Sequence, residues 1–119
     1  VSNYNSNLIL DDCTGRGAAI YVVGGTNKDG GGVNIGMVQR YYPALNVIES
    51  LPSSDNWPAR VNGVLVAAMG TAVVNDQIYA YGGWETNSAP YFSAETWRFD
   101  PCAPSVSGLP GSGAAKPKP

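Results

Sequence analysis

The sequence predicts an all-β protein made of two copies of one four-stranded antiparallel unit. The first observation is an internal repeat, because residues 20–25 (IYVVGG) recur as residues 78–83 (IYAYGG) at an offset of 58. Residues 38–43 recur as residues 96–101 at the same offset, with no gap between the two matches. The second observation is composition, since 15 glycines and 9 prolines among 119 residues disfavour long helices. A repeat of this length is one supersecondary unit that buries its faces against its neighbours.

Four strands are predicted in each unit, where short β-branched and aromatic runs are bounded by Gly, Asn and Asp. Those of the first unit cover residues 7–12, 18–24, 37–42 and 47–51. Those of the second cover residues 68–74, 77–82, 94–100 and 103–109, and the last of these is weakened by Pro104 and Gly108. The first unit has a connection of about nine residues between its first two strands, whereas the second has a tight turn at Asn75 and Asp76.

The predicted domain boundaries follow from these units. Residues 1–62 form the first unit and a linker that begins at Pro52, and residues 63–110 form the second unit. Residues 111–119 are a Gly-, Ala- and Pro-rich tail or linker.

Charge and composition narrow the possible partners and the compartment. The formal net charge is −2 and only 13% of residues are charged, so the basic footprint of a nucleic-acid-binding protein is missing. An anionic membrane surface is disfavoured for the same reason, and the sequence has no apolar run of about 18 residues for insertion. A surface made mainly of Asn, Ser, Thr, Gly and Tyr is typical of secreted proteins, so we predict an extracellular or cell-surface location.

The repeat resembles the kelch repeat. In that family a second strand ends in Gly-Gly, and an aromatic third strand ends near Asp-Pro. Here residues 78–83 and 95–101 (ETWRFDP) match this pattern, and residues 46–52 match the closing Leu-Pro of the unit. The sequence departs from the family at Tyr42, where Asp is usual, and at Ile48, where Trp is common, which indicates divergent repeats.

The resemblance implies two blades of a β-propeller, which normally has four to eight blades around a central axis. Two blades alone leave apolar sheet faces uncovered, which a monomer does not tolerate. The expected propeller is therefore incomplete by itself. The remaining blades would come from a longer polypeptide, from further copies of this chain in an oligomer, or from another protein.

Two repeated features are interpreted as structural. The diglycines lack the spacing of a phosphate-binding or dinucleotide-binding loop, so we assign them to backbone geometry and close packing. The equivalent arginines are expected to pair with a neighbouring carboxylate or carbonyl group. These structural residues are Gly24, Gly25, Gly82, Gly83, Arg40 and Arg98.

The loops between the second and third strands, residues 25–36 and 84–93, are the candidate binding sites. Loop aromatics beside polar side chains could bind a protein or a sugar, although covering the edge of the sheet is the alternative use. A fragment of the first loop resembles part of a calcium loop but lacks the distal Glu, so a polar turn is favoured and no metal site is predicted. The candidates are Asn27, Lys28, Asp29, Trp84, Glu85, Asn87, Tyr91 and Phe92.

The absence of histidine removes the commonest general base and His-ligated metals. We therefore predict no catalytic residue and no cofactor, and a non-catalytic module that binds a protein partner through its loops or serves a structural role. Two alternatives are a carbohydrate-binding module and a fragment of a propeller enzyme whose catalytic residues lie outside this chain.

The two cysteines, Cys13 and Cys102, are predicted to form a disulfide. Cys13 lies in the long connection of the first unit and Cys102 in the turn after the third strand of the second unit. Both turns emerge at the same end of an antiparallel four-stranded sheet, so the longer one could reach the neighbouring unit. Free thiols and bridges to cysteines outside the chain are the competing interpretations.

Overall fold

The computed structural model describes residues 5–24, 37–51, 60–61, 64–65, 70–82, 96–103 and 105–108. Within these residues the chain is all-β and forms antiparallel sheets without a helix. The first sheet has the strand order β1 (Asn7–Ile9), β2 (Ala19–Val23), β3 (Val38–Tyr42) and β4 (Val47–Ser50). The second sheet consists of β7 (Gly70–Val74), β8 (Gln77–Tyr81), β9 (Thr96–Asp100) and β10 (Ser105–Gly108), again with sequential neighbours paired.

A short hairpin lies between the two sheets in the sequence. It pairs β5 (Arg60–Val61) with β6 (Val64–Leu65). Sequence analysis assigned residues 52–62 to a linker and did not predict this hairpin. The predicted tail, residues 111–119, lies outside the described residues.

The two sheets share one pairing register. Ile20 pairs with Tyr41 and Tyr41 pairs with Ile48, and the residues 58 positions later, Ile78, Phe99 and Val106, pair in the same way. The hairpins between the first two strands differ in length. Ile9 pairs with Ala19 across a long connection, whereas Val74 pairs with Gln77 across a two-residue turn.

The turn at Asn75 and Asp76 has the geometry that its short length requires. Both residues have positive φ, 51° and 56°, as a type I′ hairpin turn demands. Asn and Asp are the non-glycine residues that adopt this conformation most readily.

Alternation along each strand gives every sheet two faces, which we name after their residues in β2 and β8. The Tyr face carries Tyr21 in the first sheet and Tyr79 in the second, and the Ile face carries Ile20 and Ile78. The first sheet buries its Tyr face and the second sheet buries its Ile face, and these two faces form one core. The members of this core are Ile9, Ala19, Tyr21, Val23, Val38, Tyr42, Leu51, Ile78, Ala80, Trp97 and Phe99.

The sheets contact each other through this core and at their first strands. The rings of Tyr21 and Phe99 lie 6.1 Å apart between centroids, at a tilt of 46°. Strands β1 and β7 also approach each other. The two sheets therefore have the same register, but the core lies between the Tyr face of the first and the Ile face of the second.

Candidate functional site

A closed ring of hydrogen bonds links six side chains on the Tyr face of the first sheet. We call this ring the Asp12 network. Its members, in the order of their contacts, are Asp12, Tyr21, Arg40, Glu49, Arg16 and Tyr42. Strands β2, β3 and β4 supply four of them, and the connection between β1 and β2 supplies Asp12 and Arg16.

The Asp12 carboxylate is the buried centre of the network, with 2% of its surface exposed. Its Oδ2 accepts hydrogen bonds from the hydroxyls of Tyr21 at 2.8 Å and Tyr42 at 2.5 Å. Its Oδ1 accepts from the backbone N of Thr14 at 3.1 Å and from the Thr14 hydroxyl at 2.6 Å. The bond to the residue two positions later is the Asx-turn that Asp favours in loops, so local sequence chemistry fixes the carboxylate.

Two arginines and one glutamate close the ring on its outer side. Glu49 Oε1 lies 2.5 Å from Arg16 Nη2 and 2.6 Å from Arg40 Nε. Arg16 also donates to the Tyr42 hydroxyl, and Arg40 donates to the Tyr21 hydroxyl, each at 3.2 Å. The guanidinium carbon of Arg16 lies 4.1 Å from the centre of the Tyr42 ring, within the range of a cation–π contact.

The protonation states follow from this geometry. Burial, the largest single influence, raises the pKa of Asp12, but the hydrogen bonds from Thr14, Tyr42 and Tyr21 outweigh it and lower the pKa to about 2. Burial raises the pKa of Tyr21, so its hydroxyl stays protonated and donates to Asp12. The hydrogen bonds from Arg16 and then Arg40 lower the pKa of Glu49. These carboxylates and this hydroxyl therefore titrate away from neutral pH, where a general acid or base would be needed.

The arrangement is chemically suited to holding the connection that contains Asp12 and Arg16 against the sheet. Two carboxylates balance two guanidinium groups, so the network is neutral as a whole. Among the described residues no buried side-chain nitrogen or oxygen lacks a hydrogen-bond partner. The hydrogen bonds of its buried groups are thus made within the protein, whereas Arg16 and Glu49 at its outer side are about one-third exposed.

The held connection carries the covalent link between the sheets. Cys13 and Cys102 form a disulfide with Cα atoms 4.9 Å apart, as the sequence predicts. The backbone N–H groups of Leu10 and Asp11 donate to the two carboxylate oxygens of Asp76, at 2.9 and 3.2 Å, and add a polar contact beside it. The connection between β1 and β2 thus joins the first sheet to the β7–β8 turn and to the turn after β9.

The residues assigned a structural role from the sequence are only partly described. Gly24 and Gly82 both have positive φ, 68° and 70°, and Gly24 donates its N–H to the carbonyl of Met37 at 2.8 Å. Each ends the second strand of its sheet in a conformation that side chains disfavour. Gly25 and Gly83 lie outside the described residues.

The two arginines occupy equivalent register positions with different surroundings. Arg40 pairs with Glu49 inside the Asp12 network. In the register of β9 and β10, Arg98 is paired with Ser107, the position at which the first sheet has Glu49. Arg98 lies on the outer Tyr face of the second sheet.

The candidate binding loops lie outside the described residues. This applies to all eight loop candidates, namely Asn27, Lys28, Asp29, Trp84, Glu85, Asn87, Tyr91 and Phe92. The strands that frame them are described, and they show that both loops leave corresponding ends of their sheets, after Val23 and after Tyr81.

Sequence reasoning missed most of the Asp12 network. It placed Asp11 and Asp12 in the predicted strand over residues 7–12, but β1 ends at Ile9 and both residues lie in the connection. The signal that could have found the network was the extra length of this connection, since such a segment needs polar anchors on the sheet beneath it. The Tyr21–Arg40 pairing was also readable, because Tyr79 and Arg98 repeat it.

Across the part of the chain that the structure describes, no group of three or more His, Cys, Asp or Glu side chains could hold a metal ion. The same residues contain no helix long and apolar enough to cross a membrane. Comparison with known proteins finds no family model that matches the chain, and no curated protein matches it.

Proposed function

We propose that the chain is a non-catalytic interaction or structural module, consisting of two kelch-like blades of a β-propeller in an extracellular protein. In this proposal the loops after β2 and β8 bind a protein partner. The observation that carries the proposed blade arrangement is that the two sheets have the same strand register but bury opposite faces, the Tyr face in the first and the Ile face in the second.

Unlike buried faces limit the symmetry that relates the two units. Two equal sheets related by a twofold axis would bury the same face, as in an isologous contact. Here the Tyr face of one unit covers the Ile face of the next, which is a head-to-tail contact that further units can repeat. Four-stranded antiparallel sheets stacked in this way around an axis are the blades of a propeller. The approach of the first strands, β1 and β7, fits blades that converge on a shared axis.

The disulfide supports the extracellular part of the proposal. Disulfides persist in oxidising compartments and are rare in the cytosol. The Cys13–Cys102 bridge joins the two units across 89 residues, so it stabilises the arrangement of the units as well as each unit.

The Asp12 network supports a non-catalytic role. Six of its side chains form a closed ring of hydrogen bonds, and its buried polar atoms all have hydrogen-bond partners. Its carboxylates are held ionised by Tyr, Thr and Arg donors, which is what a structural anchor requires.

The loops after β2 and β8 are the proposed binding elements because of their place on the rigid sheets. They span residues 24–37 and 82–95, which are stretches of the same length that leave equivalent strand ends. Loops fixed at both ends by a scaffold are the usual place for recognition, and large aromatics there supply contact area at low entropic cost.

The test uses the purified full chain against two probes, a displayed library of extracellular protein domains and a glycan array. We expect binding to at least one protein domain, and we expect Trp84→Ala with Tyr91→Ala and Phe92→Ala to weaken it by at least about tenfold. The matched control is Leu45→Ala, an exposed apolar residue in the β3–β4 turn. Equal binding by the triple variant, or binding to glycans alone, would overturn the proposal, and the second result would establish the carbohydrate-binding alternative.

A further inference from the structure

An apolar row crosses the Ile face of the first sheet, with exposed residues at its two ends and partly buried residues, Ile20 and Tyr41, between them. Leu8, Ile20, Tyr41 and Ile48 are consecutive cross-strand partners, so their side chains stand side by side on this face. Leu8 is 56% exposed and Ile48 is 71% exposed. A row of this kind across four strands is costly to leave in water.

The second sheet shows what covers such a row. The residues that pair at the equivalent register of this sheet are Val73, Ile78, Phe99 and Val106. Ile78 and Phe99 are fully buried against the Tyr face of the first sheet, and Val73 packs against the same core. The natural occupant of an uncovered Ile face is therefore a Tyr face.

The chain carries an uncovered Tyr face of its own. On the outer side of the second sheet, Tyr79 is partly exposed, and Tyr81 and Val74 are 52% and 54% exposed. Tyr81 lies across Gly70, where a side chain would collide with its ring, so this face is flat at that position. Among the residues that the structure describes, one molecule thus presents one partly exposed face of each kind, on opposite sides.

We propose that the Ile face of the first sheet docks the Tyr face of the second sheet of another copy of this chain, head to tail. This inference rests on the proposed arrangement of the two units as repeatable blades. The contact between Tyr21 and Phe99 gives its geometry, because the residues 58 positions away are Tyr79 and Tyr41. Tyr79 of one copy packs against Tyr41 of the next, as Tyr21 packs against Phe99 within the chain.

The junction between copies differs from the internal one in having no disulfide. The position equivalent to Cys102 in the first unit is Ala44. In the second unit the two-residue turn at Asn75 and Asp76 has no counterpart of the connection that carries Cys13. The junction between copies is therefore non-covalent, and the assembly depends on protein concentration.

Sedimentation velocity over a range of concentrations tests the proposal with the full, oxidised chain. We expect wild-type protein to sediment as species larger than one 12.4 kDa chain, growing with concentration. Ile48→Glu blocks the Ile face and Tyr79→Glu blocks the Tyr face, and each is expected to weaken association by at least about tenfold. Leu45→Glu is the matched control, because Leu45 is 52% exposed but lies in a turn outside the face, and it should assemble like wild type.

Mixing the two blocked variants gives the sharpest result. Each retains the face that the other has lost, so a head-to-tail junction makes them form a one-to-one dimer that grows no further. If Tyr79→Glu does not fold, as judged by circular dichroism, Tyr81→Glu replaces it at a more exposed position of the same face.

Three results would overturn the proposal: wild-type protein that stays monomeric at all concentrations, blocked variants that still assemble, or a mixture that does not dimerise. A monomeric wild type would leave the loop-binding proposal standing, since that proposal is measured by the loop variant. If the loops bind no partner but the chain still assembles, the loop-binding proposal fails and the assembly proposal stands.

Discussion

Replacing Asp12 by Asn removes the charge at the centre of the Asp12 network while keeping the size of the side chain. The amide oxygen can still accept from Thr14, but the amide nitrogen then faces the hydroxyls of Tyr21 and Tyr42, which both donate to Oδ2 in the native protein. Two charge-assisted hydrogen bonds are lost in a site that is 2% exposed. We expect the free energy of unfolding at pH 7 to fall by about 2–4 kcal/mol.

The pH dependence of the free energy of unfolding gives a second value for the contribution of the Asp12 carboxylate. The folded-state pKa of Asp12 is about 2, below the unfolded value of 3.8. A carboxylate whose pKa is lowered by folding contributes stability above its unfolded pKa and loses that contribution as the pH falls through its folded pKa. The difference corresponds to roughly 2 kcal/mol, present above about pH 4 and lost between about pH 4 and pH 2.

Urea unfolding followed by tryptophan fluorescence at several pH values measures both quantities. Protein concentration is held constant, because association would add to the apparent stability. The wild-type protein should lose roughly 2 kcal/mol more than Asp12→Asn between pH 5 and pH 2. Asp11→Asn is the control at pH 7, since Asp11 is exposed and an amide oxygen can accept the same backbone hydrogen bond from Cys13. Parallel pH profiles for wild type and Asp12→Asn would refute the reasoning.

Three further substitutions test the contacts around the network by urea unfolding at pH 7. Replacing Cys13 and Cys102 by Ser opens an 89-residue link and should cost roughly 4–5 kcal/mol on the chain-entropy estimate, so an unchanged midpoint would contradict a stabilising role. Glu49→Gln removes the charge of the shared partner of two arginines. Because Glu49 is one-third exposed, we expect the free energy of unfolding to fall by only about 1 kcal/mol. A larger fall than that of Asp12→Asn would place the centre of the network at Glu49 instead. Asp76→Gly keeps the positive φ but removes both acceptors for the first unit and should cost about 1–2 kcal/mol, whereas Asp76→Asn, which retains one oxygen, should cost less than Asp76→Gly.

The sequence was most informative where the two units repeat each other. The gapless offset of 58 predicted two similar sheets, and the pairing of Ile20 with Tyr41 and of Ile78 with Phe99 has that same offset. The disulfide was predictable because turns at the same end of antiparallel sheets can meet.

Local side-chain chemistry limited what strand patterns could predict. The apolar run at the start of the first unit predicted a strand to residue 12, but β1 ends at Ile9. Asp11 and Asp12 each accept a hydrogen bond from the backbone N–H two residues later, and this turn geometry competes with continued pairing. The β5–β6 hairpin was missed because strands of two residues are too short to show alternation.

The buried face of each sheet was not predictable from alternation, because both faces carry large apolar side chains. Tyr21 and Ile20 are neighbours in β2, and either could have faced the core. The structure buries Tyr21 completely and leaves Ile20 partly exposed, while Ile78 in the second sheet is completely buried. Which face of each sheet is buried depends on how well it packs against a face of the other unit. The sequence of a single strand does not contain this information.

Differences at equivalent positions explain why the internal junction is the one formed within a chain. On the buried Ile face of the second sheet, Trp97 is fully buried, and the equivalent residue on the outer Ile face of the first sheet is Gln39. On the Tyr face, the first sheet has Val38 where the second has Thr96. The internal junction therefore combines the more apolar version of each face, and it alone carries a disulfide. Because burial of apolar area drives such contacts, we expect the proposed junction between the two outer faces to be weaker than the internal junction and to form reversibly.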